Sequence, residues 1–214
     1  MRGRLAAWSL LAAVQILLAY GARVSSGKPP RNAVYHYSLA LSGLIEYGIV
    51  LGIVLAIARG RVDELLALRR PQAWGTAIGL SIGVLVGIYA LTFALSPVLH
   101  AGEEQGLTPP GWDGSRAGAF AASFLVIVFF GPFVEEAMFR GLGYSLIEPF
   151  GGLTAIVVVG ITFGLAHGLF AALPILAVFG AGLAYIRSRT QSLYPCFLTH
   201  AAFNAVALIA SVAA

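Results

Sequence analysis

Residues 123–147 read SFLVIVFFGPFVEEAMFRGLGYSLI, an apolar run that carries two adjacent glutamates, Glu135 and Glu136, near its middle. The residues after the pair stay apolar apart from Arg140, and a proline–glycine breaker follows at 149–152. A hydropathy window alone would end the span just before the glutamates. Counting back from the breaker, where a helix is expected to stop, predicts a span over 123–147 that holds both glutamates at membrane depth.

The whole chain has the composition of a membrane protein. Of its 214 residues, 59% are hydrophobic and 10% are charged, whereas soluble domains are about one quarter charged. The formal net charge of +4 is spread over short loops, which gives no basic block for nucleic acid. One cysteine, Cys196, excludes an intrachain disulfide and a cysteine-based metal site. These features predict an all-α polytopic transmembrane bundle in contact with membrane lipids.

Spans of about 20 mostly apolar residues recur seven times along the sequence. The pattern divides into an N-terminal part, 1–114, with three spans, and a second part, 115–214, with four. The first apolar stretch follows Arg2 and Arg4 and has features of a signal peptide, but the many later spans favour a retained helix. The predicted spans are 5–22, 33–58, 71–99, 123–147, 153–168, 172–186 and 193–210.

The distribution of Lys and Arg predicts the orientation, because cytoplasmic loops carry the excess. One side receives eight cations and the other four, so the first side, with the N-terminus, is predicted to be cytoplasmic. The eight are Arg2, Arg4, Arg59, Arg61, Arg69, Arg70, Arg187 and Arg189, and the four are Arg23, Lys28, Arg31 and Arg116.

Ionisable residues inside spans are costly and usually functional, and several lie in the second half of the chain. Glu135 lies fourteen residues before Pro149, and His167 lies fifteen residues after Gly152. At about 1.5 Å per residue, both lie ~20–23 Å from their shared turn. His200 lies ~10 Å into the last span by the same count, so the match there is looser. The set is predicted to converge in the half of the membrane nearer the cytoplasm.

Four-residue spacing lets a helix direct two side chains to one face. Glu136 and Arg140 are spaced for an ion pair, which leaves Glu135 free. The same spacing relates Phe163 to His167 and His200 to Asn204. A carboxylate beside an imidazole can activate water as a general base, and His200 with Asn204 could donate to an oxyanion. Two glutamates and two histidines could equally hold one zinc ion that activates the water.

Three motifs resemble those of the CAAX protease and bacteriocin-processing (CPBP) membrane family. The first is GPFVEEAMFRG at 131–141, the second is FGLAH at 163–167, and the third is HAAFN at 200–204. Their order and the hairpin spacing match as well, over roughly 115–207. Each motif alone is weak, whereas three in order are specific.

The resemblance implies an intramembrane endopeptidase of the prokaryotic plasma membrane, with no cofactor and a site open toward the cytoplasm. Glu135 and His167 would activate water, and His200 and Asn204 would stabilise the oxyanion. Glu136, Arg140 and Phe163 would support them. The family was formerly classed as metalloproteases, and its prokaryotic branch includes members linked to bacteriocin processing or immunity. The implied substrate is a peptide or protein, with or without a lipid anchor.

Two other functions fit the same residues less well. A non-catalytic membrane protein that binds a partner or confers immunity would not need the complete set of Glu135, His167, His200 and Asn204. An ion or proton transporter could use the carboxylates, but the sequence lacks the paired repeats and broken helices that transporters usually show. Glu46, alone in the second predicted span, is left with a structural or cavity role.

Overall fold

Helices make up the regular structure of this chain. A computed structural model describes residues 1–26, 30–99, 104, 109 and 111–213, and within these residues there are eight helices and no strand. The helices are α1 (Arg2–Ser26), α2 (Tyr37–Ala58), α3 (Val62–Leu65), α4 (Trp74–Leu99), α5 (Gly114–Phe150), α6 (Gly152–Ala166), α7 (Leu173–Thr190) and α8 (Tyr194–Ala213). The all-α class is confirmed.

Each of the seven predicted spans corresponds to a helix of the structure. Among the described residues, five helices are long and apolar enough to cross a membrane, namely α1, α2, α4, α5 and α8. The other two are shorter or more polar: α6 has 15 residues, and α7 has 18 with Arg187 and Arg189 in its last turn. The long apolar helices make the chain an integral membrane protein. Much of the loop predicted at 100–116 lies outside the described residues.

The longest helix, α5, runs without a break for 37 residues through the two glutamates. It is not a plain α-helix, because Val126–Phe130 and Ala137–Gly143 are π-helical. It ends in a short 3-10 turn at Glu148–Phe150, and Gly151 at φ +126° turns the chain into α6. A side chain at that φ would be strained. The hairpin predicted at 149–152 is therefore confirmed.

The helix connections define two ends of the bundle. The arginine-rich end holds the connections 59–73, Gly151 and 191–193, and the opposite end holds the described residues between α1 and α2, between α4 and α5, and between α6 and α7. At the arginine-rich end, the Leu193 N–H donates to the Ala67 carbonyl at 3.0 Å. At the opposite end, the Glu104 carboxylate accepts from the N–H groups of 170–172 just before α7. Long-range hydrogen bonds therefore join described loop residues at both ends.

The N-terminal helix packs directly against α5. Trp8 of α1 is buried, and its Nε1–H donates to the Met138 carbonyl at 3.0 Å. Gly143 allows this approach, because a Cβ there would lie 2.6 Å from the indole ring. The first and second halves of the chain thus share one core around α5.

Candidate active site

Glu135 lies on a short stretch of ordinary α-helix between two π-helical segments. This stretch is Gly131–Glu136, with Val126–Phe130 before it and Ala137–Gly143 after it. π-Helical segments are rare and often occur at functional sites, since they widen the helix and change the direction of its side chains. The regular helix predicted from sequence did not include them.

The first π-helical segment leaves a main-chain carbonyl for α8 to bind. The Gly131 N–H donates to the Val126 carbonyl five residues back. The next carbonyl, that of Ile127, would need the N–H of residue 132, which is a proline and has none. Asn204 fills this place, because its Nδ2 donates to the Ile127 carbonyl oxygen at 2.9 Å. Asn204 therefore ties α8 to α5 beside the site.

The Glu135 carboxylate is held by one oxygen and faces two imidazoles with the other. The Tyr47 hydroxyl of α2 donates to Oε1 at 2.7 Å. Oε2 lies 4.0 Å from Nε2 of His167 and 3.7 Å from Nε2 of His200. Oε2 is buried and accepts no hydrogen bond from the described part of the chain. The equal depth predicted for Glu135 and His167 is confirmed.

The main chain of α6 fixes the His167 ring. Its Nδ1 lies 2.8 Å from the Phe163 carbonyl oxygen, one turn back. A carbonyl only accepts, so Nδ1 carries the proton of this hydrogen bond. The Phe163 ring packs against the imidazole at 4.6 Å between centroids. His167 Nε2 is thereby directed at Glu135.

Glu136 lies at the centre of a second, fully buried cluster. Its Oε1 accepts from Arg140 Nη1 at 2.8 Å, which confirms the predicted ion pair, and from His200 Nδ1 at 2.9 Å. Arg140 also donates to the Gly180 carbonyl at 2.9 Å and lies 4.2 Å from the Phe163 ring centroid. Glu136 therefore orients His200 and turns its Nε2 toward the cavity.

The polar side chains of Tyr47, Glu135, His167, His200 and Asn204 line one cavity of about 250 Å³, and Glu136 and Arg140 lie behind its wall. Its wall is mostly apolar with a few convergent polar groups, as is usual for sites that bind small molecules or peptide segments. The lining residues are Tyr47, Ile127, Glu135, Phe163, His167, Leu176, Phe179, His200, Phe203, Asn204, Ala207 and Leu208.

The cavity does not lie where the sequence placed it. His167 follows the last residue of α6, and Leu176 lies in the first turn of α7, both at the end of the bundle opposite the arginines. The predicted convergence toward the arginine-rich end was wrong. A count of 20–23 Å from the turn already exceeds half of a ~30 Å hydrocarbon core.

The depth of His200 was also misjudged, because α8 begins inside the protein. Ser192 and Leu193, which precede α8, are 0% and 1% exposed. Ser192 Oγ donates to the Arg69 carbonyl. The segment between α3 and α4 therefore covers the start of α8. His200 therefore reaches Glu135, although a count from the membrane surface placed it about 10 Å deep.

The sequence interpretation missed Tyr47, the site residue from the first half of the chain. The sequence did contain a signal for it, because Tyr47 is a polar side chain next to Glu46 in the middle of an apolar span. Glu46 itself is exposed on α2 and lines a second cavity of about 200 Å³ with Ser42 and Ser123, which shares Tyr47 and Ile127 with the first. The structure gives Glu46 no hydrogen bond to Glu135, His167 or His200, and its role stays a prediction.

Across residues 1–26, 30–99, 104, 109 and 111–213, no three His, Cys, Asp or Glu side chains are grouped in a way that could hold a metal ion. In the Glu135 cluster, Oε2 lies 4.0 Å from His167 Nε2 and 3.7 Å from His200 Nε2.

Residues 117–206 match the protein-family model described as type II CAAX prenyl endopeptidase Rce1-like. This segment is Rce1-like. It contains every residue predicted for the site and excludes Tyr47, and it confirms the resemblance seen in the three motifs. No curated protein and no solved structure matches the chain. The similarity to CAAX-type endopeptidases thus lies in the part of the chain that supplies most of the cavity lining.

Proposed function

We propose that this chain is an intramembrane endopeptidase in which Glu135 and His167 activate a water molecule. The observation that carries the proposal is the placement of Glu135 Oε2, buried and facing the two imidazole Nε2 atoms at 4.0 and 3.7 Å. These separations exceed a direct hydrogen bond, and polar groups so spaced are commonly bridged by one water. A water held there lies against the cavity that Glu135, His167 and His200 line.

The proposed reaction is a general-base hydrolysis. The water oxygen forms a bond to the carbonyl carbon of the scissile amide, and its proton passes to Glu135. The C–N bond then breaks, and the proton moves from Glu135 to the departing amine. The products are a carboxylic acid and an amine, the acid then gives its proton to the amine to leave a carboxylate and an ammonium group, and the Glu135 carboxylate is restored.

His200 and Asn204 would stabilise the oxyanion that forms between the two steps. Because His200 Nδ1 is paired with Glu136, donation from Nε2 requires the imidazolium form, with a proton on each nitrogen. Asn204 uses one amide N–H for the Ile127 carbonyl, and its second N–H is left for the substrate.

The proposed substrate is a peptide segment of a membrane-associated protein, with or without a lipid anchor. The mostly apolar lining of the cavity suits a segment that arrives from the bilayer. The prokaryotic plasma membrane is the proposed location.

Two single variants test the assignment, Glu135→Gln and His167→Ala, each assayed on an internally quenched fluorogenic peptide in detergent. Loss of the general base should lower kcat on the order of 100- to 10,000-fold. Glu64→Gln, which changes an exposed glutamate in the 59–73 connection, is the matched control and should retain activity. Cleavage that persists unchanged in both site variants would contradict the proposal.

A chelator in the same assay separates two ways of activating the water. A glutamate-based reaction should continue in the presence of a strong chelator. Complete loss that added zinc restores would assign the activation to a metal held by the Glu and His side chains.

A further inference from the structure

One hydrogen bond to Glu135 comes from outside the Rce1-like segment. Tyr47 lies near the middle of α2, and its hydroxyl donates to Glu135 Oε1 at 2.7 Å. This is the usual length for a hydrogen bond from a hydroxyl to a charged oxygen. The phenol also forms part of the cavity wall. Tyr47 therefore touches the group to which the proposed function assigns the central role.

The Tyr47 ring is held by residues just before Glu135 on α5. A Cβ at Gly131 would lie 2.8 Å from Tyr47 Cε2 and 3.0 Å from Cζ, so a glycine is required for this approach. The Phe130 ring meets the Tyr47 ring edge-on, at 89° and 6.4 Å between centroids. Contacts on two sides fix the position of the hydroxyl.

This contact decides which oxygen of Glu135 faces the imidazoles. The last torsion of a glutamate is broad and nearly two-fold, so an untethered carboxylate can turn either oxygen toward the cavity or swing out of line. With Oε1 bound to Tyr47, Oε2 is the oxygen that faces His167 and His200.

We propose that Tyr47 is a positioning residue that fixes the Glu135 carboxylate for proton transfer. This inference rests on the proposed function, since it assigns a residue to the same site. It implies that the peptidase site is completed by α2, and that the Rce1-like segment alone holds its base loosely.

The test compares Tyr47→Phe with Tyr35→Phe on the fluorogenic peptide. Tyr35 is a matched control because its buried phenol also forms hydrogen bonds, to the main chain of Gly111 and Asp113, and none to Glu135. A hydrogen bond to a charged group is worth a factor of roughly 10 to 100. Tyr47→Phe should lower kcat by about that factor with KM unchanged, whereas Tyr35→Phe should retain kcat.

A variant pair separates positioning from a general loss of fold. In the Glu135→Gln background, Tyr47→Phe should cause no further fall in rate. An unchanged kcat in Tyr47→Phe, a change in KM alone, or an equal fall in Tyr35→Phe would each overturn the inference. If Glu135→Gln is inactive while Tyr47→Phe is fully active, Tyr47 loses its role and the proposed function stands.

Infrared difference spectra provide a readout that does not depend on cleavage. Subtracting the spectrum of Glu135→Gln from that of the parent isolates the Glu135 carboxylate band, and the same subtraction is made in the Tyr47→Phe background. Removal of the phenol should shift this band. An unshifted band would overturn the inference even if the proposed function failed.

Discussion

At the scale of single residues, the Glu136–Arg140 ion pair is fully buried in the bundle. Both side chains are 0% exposed, and charges held away from water are tolerated only when they are paired and hydrogen-bonded. Arg140 has two further partners, the Gly180 carbonyl and the Phe163 ring. The pair thus joins α5 to α6 and α7.

Glu136→Gln tests the importance of this pair for stability. The change leaves the Arg140 guanidinium buried without its carboxylate, which typically costs about 3–5 kcal/mol. We expect a large fall in the thermal unfolding midpoint in detergent. The exposed pair of Arg61 with Glu64 gives the comparison, since Glu64→Gln should leave the midpoint unchanged. A Glu136→Gln protein as stable as its parent would show that the ion pair does not stabilise the bundle.

The sequence predicted the residue pairs that depend on spacing along one helix or across one hairpin. Glu136 with Arg140, and Glu135 with His167, follow from counting. Tyr47 and Ile127 could not be found this way, because their partners lie on helices whose mutual rotation the sequence does not state. Only the structure brings the α2 hydroxyl to Glu135.

At the scale of elements, α5 departs from the helix that its sequence predicted. Pro132 removes a main-chain donor, and the π-helical register before it assigns the Gly131 N–H to Val126. Hydropathy and spacing carry no signal for this register, since both treat the helix as uniform. The existence of α5 and its end near Pro149 could therefore be predicted, but its start at Gly114, nine residues before the predicted one, and its internal geometry could not.

A double-mutant cycle tests the link between Pro132 and Asn204. Asn204→Ala should destabilise the protein by about 1 kcal/mol, because it leaves the Ile127 carbonyl without a donor. In a Pro132→Ala background the main chain can supply a donor, so Asn204→Ala should cost less. Thermal unfolding of the four proteins gives the coupling. Strictly additive effects would show that the two residues do not serve the same carbonyl.

At the scale of the whole molecule, the position of the cavity means that two predictions drawn from sequence cannot both be true. The count of Lys and Arg places the arginine-rich end in the cytoplasm, whereas the resemblance implies a site open to the cytoplasm. The cavity lies from mid-depth toward the opposite end, so both cannot hold. Seven helices could be counted from sequence, but their absolute orientation depends on a balance of loop charges.

Cysteine labelling determines the orientation. Gln72→Cys places a thiol at the arginine-rich end, and Ser26→Cys places one at the opposite end, with no change of charge and with both positions exposed. The native Cys196 is buried and gives little background. If the arginine count holds, a membrane-impermeant maleimide should label Ser26→Cys in intact cells and Gln72→Cys only after permeabilisation. The reverse pattern would put the cavity on the cytosolic side.

The π-helical segment Val126–Phe130 also determines where α5 can lose a residue without moving Glu135. Each residue of an α-helix turns the chain by about 100°, so a deletion within Gly131–Glu136 would rotate Glu135 away from His167. A π-helical turn already holds one residue more than an α-helical turn needs. Relatives of this protein that are one residue shorter here could close the turn into ordinary helix and still present the same carboxylate to the same imidazoles.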